Sequence, residues 1–308
     1  MKPNLEVKIG KLKLKNPVMN ASGIFGFGRG FAKIENPSKL GAIISKTITL
    51  KPKKGNPLPW IVKVEGGLLN SIGLANEGIE KFVKETLPQY LKFGPPIIVS
   101  IAGDTIEDYA QLTEILDKTK GVSGIEINTS CPNIHGGNLP FGSDPKIVKP
   151  LVSEVRRRTK LPLIVKLTPN VGKIEPLAKA AEKAGADALS LINTLLGLTI
   201  DVETRKPRLG GITGGISGPA IKPHGLLRVW QVFKAVNIPI IGLGGISNYK
   251  DALEYIIAGA TALGIGTANY FNPKATDEIL EGINHYLLKN EIKNIYELKG
   301  TLKVDDGN

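Results

Sequence analysis

Short, nearly continuous apolar runs alternate along this chain with longer stretches in which apolar residues recur every three or four positions. The runs lie at 17–20, 42–45, 97–100, 124–128, 163–166, 188–192, 240–242 and 262–265. An unbroken apolar run of this length fits a parallel strand covered on both faces. Helical spacing occupies 77–91, 106–119, 145–159, 174–185, 222–236, 249–259 and 273–289. Three of these stretches follow Asp104-Thr105, Ser143-Asp144 and Ser247-Asn248, whose side-chain oxygens suit the first free N–H groups of a helix. Eight strands with intervening helices predict a TIM (β/α)8 barrel, a single domain over 1–308. An open, doubly wound sheet is the alternative, but it does not need eight such units.

Three segments interrupt the rhythm. Residues 5–14, centred on Gly10, read as an N-terminal hairpin that caps the barrel floor. Residues 51–74 and 193–217 are long, Gly- and Pro-rich βα insertions. Both follow strands, so both are expected at the C-terminal face of the barrel, where long ordered loops act as lids or binding loops.

Composition narrows the class. The single cysteine among 308 residues excludes an internal disulfide, and also a self-contained iron–sulfur cluster, which needs about four ligands. Three histidines argue against a His-rich zinc site. The amino terminus lacks the apolar core of a secretory signal, and the longest apolar candidate, 256–271, is broken by Gly259, Gly264 and Gly266. A soluble cytoplasmic protein is therefore expected. The net charge of +12 comes from lysines dispersed over the expected helices, with one dense run at Arg156-Arg157-Arg158. That pattern reads as solvated helix faces with a mild attraction for anions rather than as a polyanion-binding stripe.

In a barrel the chemistry follows the C-terminal ends of the strands. Gly242-Leu243-Gly244-Gly245 and Gly264-Ile265-Gly266-Thr267 place glycine turns after the seventh and eighth strands, where backbone N–H groups can cradle a phosphate. The bland reading is that these glycines only permit tight turns. Lys46 and Lys166 end apolar runs, either snorkelling to water or facing an anion at the barrel mouth. Cys131 admits two readings, a small buried apolar group or a loop thiol acting as a general base. Its polar neighbours Asn128, Ser130 and Asn133 favour the loop thiol.

Taken together, Asn20-Ala21-Ser22-Gly23, Ser45-Lys46-Thr47, Asn70-Ser71-Ile72-Gly73-Leu74, Asn128-Thr129-Ser130-Cys131-Pro132-Asn133 and Asn193-Thr194 resemble the dihydroorotate dehydrogenase family over about residues 5–290. The resemblance implies an FMN-bearing barrel that oxidises (S)-dihydroorotate to orotate in pyrimidine biosynthesis. In it, Cys131 removes the C5 proton and a hydride leaves C6 for the flavin. It implies that Lys46, Asn70, Ser71, Ile72, Gly73, Leu74, Asn128, Asn193 and Thr194 hold the substrate. FMN falls to Ser22, Lys46, Thr47, Asn128, Lys166, Ile192, Gly218, Gly244, Gly245, Gly266 and Thr267. An ammonium beside the pyrimidine edge of a flavin would stabilise its anionic reduced ring. Ser100 departs from the Asn that relatives often carry there, and Ala75 from a larger polar residue or Pro.

The branch is implied as well. Cys131-Pro132-Asn133, His135-Gly136-Gly137, Phe141-Gly142 and 217–223 resemble the NAD-linked, two-subunit kind. Such a chain works with a separate electron-transfer subunit carrying FAD and a [2Fe-2S] cluster, as a homodimer within a heterotetramer. The fumarate-using homodimer is the alternative branch. An FMN-dependent tRNA dihydrouridine synthase is more remote, since a further RNA-binding domain is expected there. A phosphate-binding isomerase would leave Ser130-Cys131-Pro132-Asn133 unexplained, and a non-catalytic binding protein would explain neither the lysine pair nor the thiol.

Overall fold

The structure, a computed structural model, describes residues 2–24, 26, 37–130 and 141–304. Eight parallel strands form one sheet: β1 (Val18–Asn20), β2 (Ile43–Ile44), β3 (Ile97–Ile101), β4 (Val122–Asn128), β5 (Leu163–Lys166), β6 (Ala188–Leu191), β7 (Ile240–Leu243) and β8 (Ala262–Ile265). Their order is β1-β8-β7-β6-β5-β4-β3-β2. A parallel bridge between Met19 and Ala42 closes the ring. The chain is thus a TIM barrel, as the apolar rhythm predicts.

The closing seam is short on ladder bonds because β2 has only two residues, and two asparagine side chains make up the difference. Asn20 Nδ2 donates to Ile44 O at 2.7 Å while its Oδ1 accepts from Ile44 N at 3.0 Å. Asn16 Oδ1 accepts from Val18 N at 3.0 Å and its Nδ2 donates to Lys39 O at 2.8 Å. Both asparagines are buried, so these bonds satisfy groups that water cannot reach. Gly41 N–H donates to Val18 O at 2.8 Å across the same seam.

Helices follow the strands as the spacing predicts. They are α1 (Ile106–Asp117), α2 (Pro145–Arg158), α3 (Glu175–Lys183), α4 (Lys222–Phe233), α5 (Tyr249–Ile257) and α6 (Ala275–Lys289). The three expected starts hold. Thr105 with Asp108 and Asn248 with Asp251 form reciprocal capping boxes, and Asp144 caps α2. The stretch expected at 77–91 is helical but not uniform. A wider turn, Phe82–Thr86, separates Gly78–Lys81 from Leu87–Leu91, and Pro88, with no N–H to donate, sits just beyond it.

At the barrel floor, Val7–Ile9 pairs with Leu12–Leu14 around Gly10, whose φ is +55°. Val7, Ile9 and Leu14 are buried while Lys8 and Lys13 alternate outward, so the hairpin plugs the N-terminal end as expected. The two insertions are more than loops. Ile61–Val64 and Gly67–Asn70 from the first, and Leu195–Leu198 and Thr213–Ser217 from the second, make one four-stranded antiparallel sheet. Pairing between segments so distant in sequence leaves no local signature, and the glycines dilute the period-two alternation.

The seam yields a test. A Cβ on Gly41 would lie 2.1 Å from the carbonyl oxygen of Asn16, so Gly41→Ala must part β1 from β2. Overpacking of this kind costs about 1–3 kcal/mol. Urea unfolding should show that loss, whereas Gly172→Ala, with nothing within 4 Å of the new methyl, should leave the midpoint unchanged.

Candidate active site

At the C-terminal ends of the strands the barrel opens into a cavity of about 220 Å³, between the glycine turns after β7 and β8 and the antiparallel sheet. Gly244 and Gly245 take φ of +119° and +71°, which only glycine adopts without strain. The N–H groups of Gly244, Gly245, Gly266 and Thr267 donate to no described group. A Cβ on Gly266 would meet only Ala21, at 3.4 Å, so its missing side chain leaves room toward the cavity. Orphan donors around an open space fit an anionic group such as a phosphate.

The turn after β7 is held from behind. Tyr255 OH donates to Gly244 O at 2.6 Å, with Leu243 O also in reach at 3.2 Å. Burial pushes that hydroxyl far above the ordinary tyrosine range, so it stays a donor. Asp251 Oδ2 accepts from Ser247 N at 2.9 Å and Asn248 N at 3.2 Å, while its Oδ1 accepts from Lys222 Nζ at 2.7 Å. The N–H of Ser247 is therefore committed to Asp251 and not to a ligand, and Asn248 is the residue that caps the helix.

Opposite the turns, a hydrogen-bonded chain crosses the ends of five strands. Ser22 Oγ donates to Ser45 O at 2.9 Å and pairs with Thr47 Oγ1 at 3.2 Å. Thr47 pairs with Ser100 Oγ at 3.0 Å, and Asn128 Nδ2 reaches Thr47 at 3.5 Å. Asn193 Nδ2 donates to Asn128 Oδ1 at 3.3 Å, and Asn193 Oδ1 accepts from Thr194 N at 2.8 Å. Lys166 lines the cavity while only 7% exposed, which removes the snorkelling reading for it. Burial also pushes the Lys46 ammonium below the ordinary lysine range.

The antiparallel sheet supplies the apolar roof. Ile61, Leu68 and Ile72 face the cavity, and Asn70 Nδ2 donates to Gly215 O at 3.0 Å, tying one insertion to the other. Thr267 Oγ1 donates to Ser217 Oγ at 2.8 Å, joining the roof to the turn after β8.

Most residues expected at a site converge here. Asn70, Ile72, Asn193, Thr194, Ser22, Lys166, Ile192, Gly218, Gly244, Gly245, Gly266 and Thr267 line the cavity, and Thr47 and Asn128 join it through hydrogen bonds. Lys46, Ser71, Gly73 and Leu74 stand back from the wall. Ser71 Oγ accepts from Asn56 Nδ2 at 2.8 Å, and Gly73 and Leu74 form a turn with positive φ at both residues. Cys131, Pro132, Asn133 and 135–137 lie outside the described residues. Sequence reasoning missed Ser217, Ile61, Leu68 and Tyr270 in the wall. The alternation within 61–70 was the available signal for the two apolar ones. Ser100, where relatives often carry Asn, backs Thr47.

Comparison with known proteins shows what the chain is similar to. A family model described as dihydroorotate dehydrogenase matches residues 4–287. The chain is 52% identical over 303 residues to the dihydroorotate dehydrogenase B (NAD(+)) catalytic subunit of Geotalea daltonii, covering 98% of this chain and 99% of the relative. It is 51% identical over 302 residues to the protein of that name from a Thermoanaerobacter species, covering 98% and 100%. With the one from Caldicellulosiruptor saccharolyticus it shares 52% identity over 301 residues, again covering 98% and 100%.

Proposed function

The chain belongs to the dihydroorotate dehydrogenase family, and we propose from that premise that it oxidises (S)-dihydroorotate to orotate as the catalytic subunit of an NAD-linked enzyme of pyrimidine biosynthesis. The observation that carries this reading is the cavity itself. Orphan backbone donors stand at one end, a buried lysine and an amide chain at the other, and an apolar roof lies between.

These residues fit FMN. Gly244, Gly245, Gly266 and Thr267 would hold its phosphate; Ser22, Thr47, Asn128 and Lys166 its polar ring edge; Ile192 and Gly218 its flank. When bound, FMN supplies the acceptor for the hydride that leaves C6 of the substrate. The chain's own residues do the rest. Asn70, Asn128, Asn193 and Thr194 present neutral donors and acceptors to the amide edges of a planar acid, with Ser71, Ile72, Gly73 and Leu74 forming the loop beside it. Lys46, half-buried behind the wall next to Thr47, would turn its ammonium toward the substrate carboxylate. Cys131, three residues past β4, takes the C5 proton as its thiolate, and the C5–H electron pair becomes the new C5=C6 bond. The roof excludes water from that exchange.

Electrons leave through a partner. One cysteine cannot ligate an iron–sulfur cluster, so the electron-transfer subunit carries the [2Fe-2S] centre and FAD, on the way to NAD. The assembly is two barrels with two such subunits. We propose a cytoplasmic, single-domain FMN protein, and no helix among the described residues is long and apolar enough to cross a membrane.

Three outcomes are expected. Mixed anaerobically with dihydroorotate, the yellow protein bleaches, and Cys131→Ala retains its flavin while bleaching at neutral pH is abolished. Unchanged bleaching in the variant rules out the thiol as base. Substrate affinity depends on charged Lys46, so it is full below that group's lowered pKa and is lost as pH rises through it, earlier than an ordinary lysine near 10.4 allows. In titrations across pH, Lys46→Met removes this alkaline limb and weakens binding by about 1.5–3 kcal/mol, a charge-assisted hydrogen bond's worth. Finally, dihydroorotate-driven NADH formation is slow for the chain alone and rises when the partner subunit is added.

A further inference from the structure

Glu126 is a carboxylate with no exposed surface, on β4 one pleat below Asn128. Its Oε2 accepts from Ser190 Oγ on β6 at 2.9 Å. Its Oε1 is buried with no hydrogen-bond partner among the described residues. Neither substrate contacts nor flavin contacts assigned above use it.

Strand register locates this charge. Glu126 is level with Ile164 of β5, Asn128 is level with Lys166, and Ser190 on the far side of β5 is also level with Lys166. In-register residues of parallel strands share a face, so the Glu126–Ser190 bond spans the inner surface of β5 at the root of Lys166. A buried carboxylate with one donor and a free oxygen is costly unless a positive charge compensates it. Lys166, 7% exposed, is the buried cation on β5 two residues along from Ile164, which is level with Glu126. No direct ion pair joins the two among the described residues, so a coupling between them would act through space in an interior where charge interactions fall off slowly.

Resting on the flavin reading above, we propose that Glu126, anchored by Ser190, is a positioning residue for that cofactor. It is the internal counter-charge of Lys166 and offsets part of the positive potential that the ammonium brings to the flavin. An apolar residue could fill the same space, but it would leave the ammonium uncompensated.

Glu126→Gln keeps the shape and removes the charge. The reduction potential of bound FMN should therefore rise in Glu126→Gln and fall in Lys166→Met, since removing a nearby negative charge favours added electrons and removing a positive one disfavours them. In the double variant the two shifts should not add, because the groups act on each other as well as on the ring. Ser190→Ala keeps the charge and loses the one donor that offsets it, so the potential should move opposite to Glu126→Gln by a smaller amount, and it serves as the probe if Glu126→Gln does not fold. A purely structural Glu126 would change the melting temperature and leave the potential where it is. Bound flavin with an unshifted potential in these variants overturns this inference alone. A wild-type chain that takes up no FMN overturns the functional reading and this inference with it.

Discussion

Everything at the mouth of this barrel depends on closing a seam that backbone bonds alone barely close. β2 contributes two residues, so the ladder between β1 and β2 is thin, and the amides of Asn16 and Asn20 complete it. Each of these side chains donates and accepts at once, which a buried apolar residue cannot do. Gly41 lets the two strands approach because its Cα lies against the Asn16 carbonyl. Ser22, Thr47 and Asn128 can share one hydrogen-bonded chain because the ring is shut there. Opening the seam would separate Ser22 on one side from Ser45 and Thr47 on the other.

The second constraint is the roof. Two insertions, each unable to bury its own apolar face, pair with one another and cover the mouth. Their close approach is written in glycine, for a Cβ on Gly67 would lie 1.9 Å from Ser217 O. The roof meets the turn after β8 through Thr267 and Ser217, so cover and cradle form one continuous wall. An enclosed site strengthens every charge placed in it. That makes the sparse charges in this interior consequential, including the Lys166 that faces the cavity and the Glu126 below it.

Much was legible from the sequence. The eight barrel strands fall within a few residues of the apolar runs, because a strand covered on both faces must be apolar throughout. The caps at Thr105, Asp144 and Asn248 were readable because capping is local chemistry between residues two or three apart. The glycine turns were visible for the same reason. Less visible were Ser100 and Ser217, ordinary serines until Thr47 and Thr267 are brought against them.

Periodicity and local side-chain chemistry thus determined the barrel, its floor hairpin and which strand ends carry polar groups, since each depends on neighbours within one turn or one pleat. Only the tertiary structure decided that the insertions form a shared sheet, that Ser247 spends its N–H on Asp251, and that Lys166 is enclosed while Ser71, Gly73 and Leu74 stand behind the wall. Ser247 and Asp251 are only four residues apart and compete with Asn248 for the same helix start, while the shared sheet and the enclosure of Lys166 depend on pairings between segments far apart in the chain. Such pairings are selected by total burial and hydrogen-bond satisfaction over the whole molecule, which no local window contains.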